Sequence, residues 1–337
     1  MKKVKYNNTR YMMLLVLIAA VPSMSVQYWC FGDGIFLQVT IAIITAWFTE
    51  AIILILRKKP VFINLADNSA LITAVLLGNL VPPTTPWWLI MLGSFFAISL
   101  AKHSYGGLGN NIFNPAIVGY ILILVCFPTQ ITHGLLLYEF QINRLSFLEA
   151  IKIIFNKYPL QMVTDNTIQK NLLFFLKNNF YADVMINHIL LKKIIYSQLL
   201  MTKKWEWINI NYMIGGLFMI TRGVIRWHIP FSILISLSFF SIINYLFNPY
   251  MYSTPLIHLF FSTTMLGCFF IATDPVTSPT SNIGCLIYGC IIGLLIWIIR
   301  SFSNYYDGLA FSILLANTCV PLIDYYTELY FYDANKD

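Results

Sequence analysis

The sequence predicts an all-α polytopic membrane protein of about ten transmembrane helices, in two inverted five-helix halves with interrupted helices. Three observations predict it. Charge is scarce: of 337 residues, 58% are hydrophobic and only 10% charged, where a soluble domain carries about 25% charged residues. The apolar residues run in long blocks, with a mean hydropathy of +0.71, rather than in the alternating or amphipathic patterns of water-soluble folds. Two of the shorter blocks, one in each half, end in proline-rich polar turns.

Spans are expected near 11–29, 35–56, 69–81, 87–101, 116–131, 209–226, 229–246, 256–272, 286–300 and 308–323. The first follows a basic start, as a signal peptide would, but no small-residue cleavage site comes before Tyr28 and Trp29, so it reads as a retained span. The third and eighth are shorter than the ~20 residues of a full crossing. They close in Pro82-Pro83-Thr84-Thr85-Pro86 and in Thr273-Asp274-Pro275-Val276-Thr277-Ser278-Pro279. Short spans with such endings, in corresponding places of two halves, mark broken helices around a central site. Leu76-Leu77-Gly78 faintly echoes Met265-Leu266-Gly267, and Tyr105-Gly106-Gly107-Leu108-Gly109 echoes Tyr306-Asp307-Gly308-Leu309-Ala310. Five spans per half is an odd number, so the halves are inverted. The division is a first membrane half over 1–131, a large loop over 132–208, a second half over 209–327 and a tail over 328–337.

Orientation follows from the lysines and arginines. Lys2, Lys3, Lys5 and Arg10 before the first span and Arg57, Lys58 and Lys59 after the second belong in the cytoplasm. Lys102, His103, Arg222 and Arg226 then fall inside, as does the tail, and the 132–208 loop falls outside; its lysines are no objection, since loops beyond ~60 residues escape the charge rule. Arg300 would lie outside, against the rule. The net charge of +7 is spread over span ends and the loop rather than along one stripe, which argues against nucleic acid as a partner. The six cysteines form no C-x-x-C pair and no metal spacing with histidine, and are read as packing residues. No phosphate-binding loop, HExxH or nucleophile elbow is present, so nucleotide binding and hydrolysis lack support.

Two stretches could carry chemistry. Gly106, Gly107, Asn110 and Asn114 lie in a glycine- and asparagine-rich segment just before a span, able to wrap a polar ligand or ion; the plain alternative is a connecting turn with Asn114 as a helix cap. Thr273 and Asp274 place hydroxyls and a carboxylate at the end of an apolar span, where they could hold a cation or a polar ring; the plain alternative is a hydrated cap. Glu50, inside the second span, is a candidate by default, though Arg57 or Lys58 could pair with it along the helix. His258 reads as a packing or interfacial residue.

Assembled, these segments resemble the D subunit of the Rnf (Rsx) ion-translocating oxidoreductase complex, itself similar to the B subunit of the sodium-pumping NADH:quinone reductase. The resemblance rests on Tyr105-Gly-Gly-Leu-Gly-Asn-Asn-Ile-Phe-Asn-Pro-Ala116, Gly215-Gly-Leu217, Phe269-Phe-Ile-Ala-Thr-Asp-Pro-Val-Thr277, Trp297-Ile-Ile-Arg-Ser-Phe302, Asp307-Gly-Leu-Ala-Phe311 and the stretch Leu315 to Thr327. It covers nearly the whole chain and is weakest in the 132–208 loop. The resemblance implies a multi-pass protein of the bacterial inner membrane, with the loop periplasmic, working beside Rnf subunits A, B, C, E and G. It also implies FMN joined by a phosphoester to a threonine of that loop. The matching stretch is Gln161 to Thr167, which makes Thr167 the candidate attachment site and Thr164 its upstream hydroxyl. Here Gln161 stands for the family's acid and Asp165-Asn166 for its small pair. A second, non-covalent flavin between the halves is a further expectation. Two other readings stay open on the sequence: an inverted-repeat solute channel or transporter, and a relic subunit that builds the complex without covalent flavin.

Overall fold

The structure, a computed structural model, describes the backbone over residues 6–131, 146–155, 188–247, 254–303 and 308–334, and the side chains over 9–131, 146–155, 203–247, 254–303 and 308–328. The described residues form helices and no strand. The first half holds α1 (Tyr6–Phe31), α2 (Gly34–Leu56), α3 (Val61–Leu65), α4 (Ser69–Leu80), α5 (Trp87–Phe96, prolonged by a π-helical stretch Ala97–His103) and α6 (Pro115–Cys126). A short α7 (Phe147–Ile154) comes next. The second half holds α8 (His188–Thr221), α9 (His228–Phe247), α10 (Pro255–Phe260), α11 (Thr264–Leu266, prolonged by a π-helical stretch Gly267–Ile271), α12 (Asn282–Phe302) and α13 (Leu309–Ala334). Among the described residues, five segments are long and apolar enough to cross a bilayer: Thr9–Phe31, Gly34–Leu56, His228–Phe247, Asn282–Phe302 and Leu309–Glu328. Ser69–Leu80, Trp87–His103 and Pro115–Cys126 are shorter apolar helices. The chain is a multi-pass, all-α membrane protein.

The two halves repeat one order of elements: two long helices, a third span in two pieces, a fourth and a fifth. The break in each third span falls at a residue in the left-handed region that is not glycine, Asn68 (φ 62°) and Ser262 (φ 57°). Only Lys58, in the α2–α3 turn, shares that conformation among the described non-glycine residues. A left-handed residue cannot continue a right-handed helix, so each span becomes two rods with free peptide groups between them. The Leu76-Leu77-Gly78 echo is out of register with this repeat. Gly78 lies ten residues beyond Asn68 and packs on Val39 of α2, whereas Gly267 lies five beyond Ser262 and packs on Leu309 of α13.

Small residues let helices approach closely. Gly289 and Gly293 of α12 lie against Ser232 and Ser236 of α9, and a Cβ on them would stand 2.8 Å from the Ile229 carbonyl oxygen and 2.7 Å from that of Ile233. Without a hydrophobic force between helices in lipid, such close backbone packing is what joins them.

Two expectations change. Residues 188–208, placed in the loop, are helical and continuous with the expected span 209–226, which ends at Thr221. The expected span 256–272 is split, and the third span gains the preceding piece α3. Within the 132–208 stretch, α7 opens with a capping box between Ser146 and Glu149.

The helix breaks and the cavity between the halves

The first break is closed by side chains from three elements. Asp67 Oδ1 accepts from the Ser69 amide (2.8 Å) and hydroxyl (2.5 Å), covering the free N-terminus of α4. Lys102, at the end of the fourth span, donates to Ser69 Oγ (2.6 Å) and forms an ion pair with Glu50 of α2. Both charged residues are 2% exposed. His103 Nε2 lies 3.7 Å from the same Glu50 oxygen. Arg57, expected beside Glu50, instead donates to the His103 carbonyl (2.7 Å). The π-helical turn sets these side chains: the amides of Ser104 and Gly107 reach back five residues to Ser99 and Lys102 carbonyls, 3.1 Å each. Widening a helix by one residue per turn re-aims the side chains beyond it and is common at functional sites.

The second break has the same plan with other residues. Arg300, at the end of α12, donates to the His258 carbonyl (2.7 Å) and to Thr264 Oγ1 (2.9 Å). Asn209 of α8 donates to the carbonyls of Phe260 and Ser262 (2.8 Å each), and its oxygen accepts from the Met265 amide (3.0 Å). Arg300 is thus a buried structural cation and carries no topological charge, which removes the objection it raised to the orientation.

Asn114 and Asp274 meet. Asn114 Nδ2 lies 3.4 Å from Asp274 Oδ2 and from the Ile271 carbonyl oxygen, while its Oδ1 accepts from the Ala116 amide (3.0 Å). It therefore caps α6 and reaches the other half at once. Asp274 Oδ1 accepts from the Val276 amide (3.2 Å), and Thr273 donates to the Phe269 carbonyl (2.6 Å). Here a π-helical bond from Ala272 N to Gly267 O (2.8 Å) ends the helix.

A cavity of about 350 Å³ lies between the halves at this level. Asp67, Ser69 and Lys102 line it from the first break, Asn111 and Asn114 from the glycine–asparagine turn, and Thr273 and Asp274 from the second half. Its remaining wall is mostly apolar, with Met12, Met13, Leu76, Phe269 and Phe270. Gly106, Gly107 and Asn110 shape the turn but do not line the cavity; the neighbouring Leu108, Gly109 and Asn111 do. Thr164 and Thr167 lie outside the described residues. Sequence reasoning passed over Lys102 and Arg300 as topology markers and did not single out Asn209. Their signal was position: ionisable or amide groups inside or at the ends of apolar blocks.

With this geometry in place, comparison with known proteins decides the kinship. The chain matches the NQR2, RnfD, RnfE family over residues 4–332. It belongs to that family. Proteins named as the D subunit of an ion-translocating oxidoreductase complex are similar to it along their length. That of Klebsiella pneumoniae (strain 342) is 46% identical over 328 residues, 95% of this chain and 93% of that protein. Those of Shigella dysenteriae serotype 1 (strain Sd197) and Escherichia coli (strain SE11) are each 44% identical over 336 residues, 97% of this chain and 95% of theirs. In this NQR2, RnfD, RnfE family member, the glycine–asparagine turn and the Asp274 turn form one wall.

Proposed function

We infer that this chain is the D-type membrane subunit of an ion-translocating oxidoreductase complex, coupling electron transfer to ion movement across the bacterial inner membrane. The near-full-length likeness to D-type subunits carries the reading. The cavity supports it: ionisable groups at two broken helices and amides of the glycine–asparagine turn face one space, as ion and substrate sites in inverted repeats do. Its other subunits are those of the Rnf type, A, B, C, E and G. The N-terminus is cytoplasmic and the segment after residue 131 periplasmic, in keeping with Arg57, Lys58 and Lys59 at one end of α2.

Flavin is the cofactor of this reading. The cavity falls in the ~300–1,000 Å³ range of ligand sites, and apolar walls with a polar edge suit a flat heteroaromatic ring. Asn114, Thr273 and Asp274 would hold the ring's polar edge. FMN on Thr167, in the outer segment, would be the covalent flavin. A bound flavin stores one or two electrons. The protein's own part is to keep water from the cavity and to hold charge at Asp274 and at the first break, so that a cation moving there feels any change in charge nearby.

The test is a purified, vesicle-reconstituted complex carrying Asp274→Asn. Ion uptake per electron should fall severalfold while the variant complex still assembles. Full coupling in Asp274→Asn and in Asn114→Ala alike would sink the assignment of this cavity.

A further inference from the structure

We propose that the place of the Lys102 ammonium is a monovalent-cation site, with Lys102 as its tethered occupant and the transported cation as its exchange partner. The proposal rests on the reading above only in giving the site a transport role.

The donor set is what a small hard cation takes. Glu50 Oε1 and Ser69 Oγ contact the ammonium, and Asp67 Oδ1 stands behind the Ser69 hydroxyl at 2.5 Å. Glu50 Oε2 is buried and has no hydrogen-bond partner. It is a lone acceptor at 2% residue exposure, beside a cation that already binds its twin oxygen. An ammonium is a compact point charge on a flexible stem. If it left, a buried carboxylate would stand uncompensated, and a charge buried without its partner is strongly destabilising. Departure of Lys102 therefore requires arrival of another positive charge, and arrival of that charge expels Lys102.

The surroundings allow the exchange. Lys102 and Ser69 line the cavity, and Asp274 lines it too, offering a second carboxylate to the displaced ammonium. The charged and titratable groups facing the site are Glu50 from α2, Arg57 just past its end, Asp67 from the α3–α4 link, Lys102 and His103 from the fourth span, and Asp274 from across the cavity. Arg57 is held by the His103 carbonyl. The other half supplies the contrast. Arg300 holds a backbone carbonyl and a hydroxyl at the matching break, and a guanidinium does not give up its proton. One break is built for exchange and the other is fixed.

The experiment uses the purified whole complex with Lys102→Gln, Lys102→Arg and Lys102→Gln/Glu50→Gln. The melting temperature of this chain is read in choline, sodium, lithium and potassium buffers and across pH, alongside ions moved per electron. Lys102→Gln should melt lower in choline and recover most of that loss when an alkali cation replaces choline, if the cargo is a metal ion, or when the pH falls, if it is a proton. The double variant should show neither recovery. Lys102→Arg, whose charge stays in place, should melt alike in every cation and across pH, and should lose ion movement. A Lys102→Gln chain indifferent to every cation and to pH overturns the proposal, as does a double variant that recovers equally, or a Lys102→Arg complex with full ion movement. The melting readout needs no turnover. A wild-type complex that moves no ions would count against the proposed function and leave the cation site to be decided by melting.

Discussion

Asn209 gives its whole amide to one irregular stretch of backbone. Its nitrogen serves the carbonyls of Trp205, Phe260 and Ser262, and its oxygen the amide of Met265. Each buried polar group left without a partner costs about 1–3 kcal/mol. Asn209→Ala should therefore lower the melting temperature in detergent clearly, whereas Asn211→Ala, whose side chain bonds only its own helix at the Trp207 carbonyl, should not. Equal melting of the two variants would show that the break needs no clamp. The sequence made Asp274 and Asn114 legible because a carboxylate and an amide beside apolar blocks are rare and costly. It left Asn209 illegible, because a single asparagine within a helix stands for a bent neighbour only once the neighbour is seen.

The α9–α12 pair depends on absent side chains. A Cβ on Gly293 would overlap Ser236 Oγ and press on the Ile233 carbonyl, and overpacking of this kind costs about 1–3 kcal/mol. Gly293→Ala should lower stability by that order, and Gly293→Ala/Ser236→Gly should regain part of it; a thermal melt in detergent reads both. Outside the bilayer, the first turn of α7 carries Glu149, whose carboxyl is held below its ordinary 4.5 first by the Ser146 amide and then by the Ser146 hydroxyl. A lowered carboxyl value means support present at neutral pH and lost as the pH falls below the ordinary value. Amide exchange over residues 150–154, corrected for its intrinsic pH dependence, should quicken below about pH 4.5 in wild type and stay level in Glu149→Gln. Helix identity was legible here from apolar blocks and proline turns. Helix interruption was only half legible: the prolines after α4 and α11 announced an ending, but the breaks before them sit at Asn68 and Ser262, residues that enter a left-handed turn without a local motif.

Sidedness and flavin attachment belong to the molecule as a whole. In a variant lacking its native cysteines, Ser146→Cys should react with a membrane-impermeant maleimide in intact cells, and Lys58→Cys only after the membrane is opened; the reverse order would invert the orientation. Mass spectrometry of the peptide containing Thr167 should show the added mass of FMN, lost in Thr167→Ala, and an unmodified peptide from an assembled, active complex would confine flavin to the cavity. The architecture could be read from the chain because lipid permits so few backbones. The wall shared by Asn114 and Asp274 could not, because residues 160 positions apart meet only through the packing of two halves.

The left-handed joints at Asn68 and Ser262 also limit how the cavity can open. Each third span is two short rods whose facing peptide ends are already committed to Asp67 on one side and Asn209 on the other. A piston stroke along the rod axis would strip those ends bare in a medium that offers no replacement. Alternating access of the cavity proposed above would then run by rocking about the joints, with the rods pivoting on their tethers.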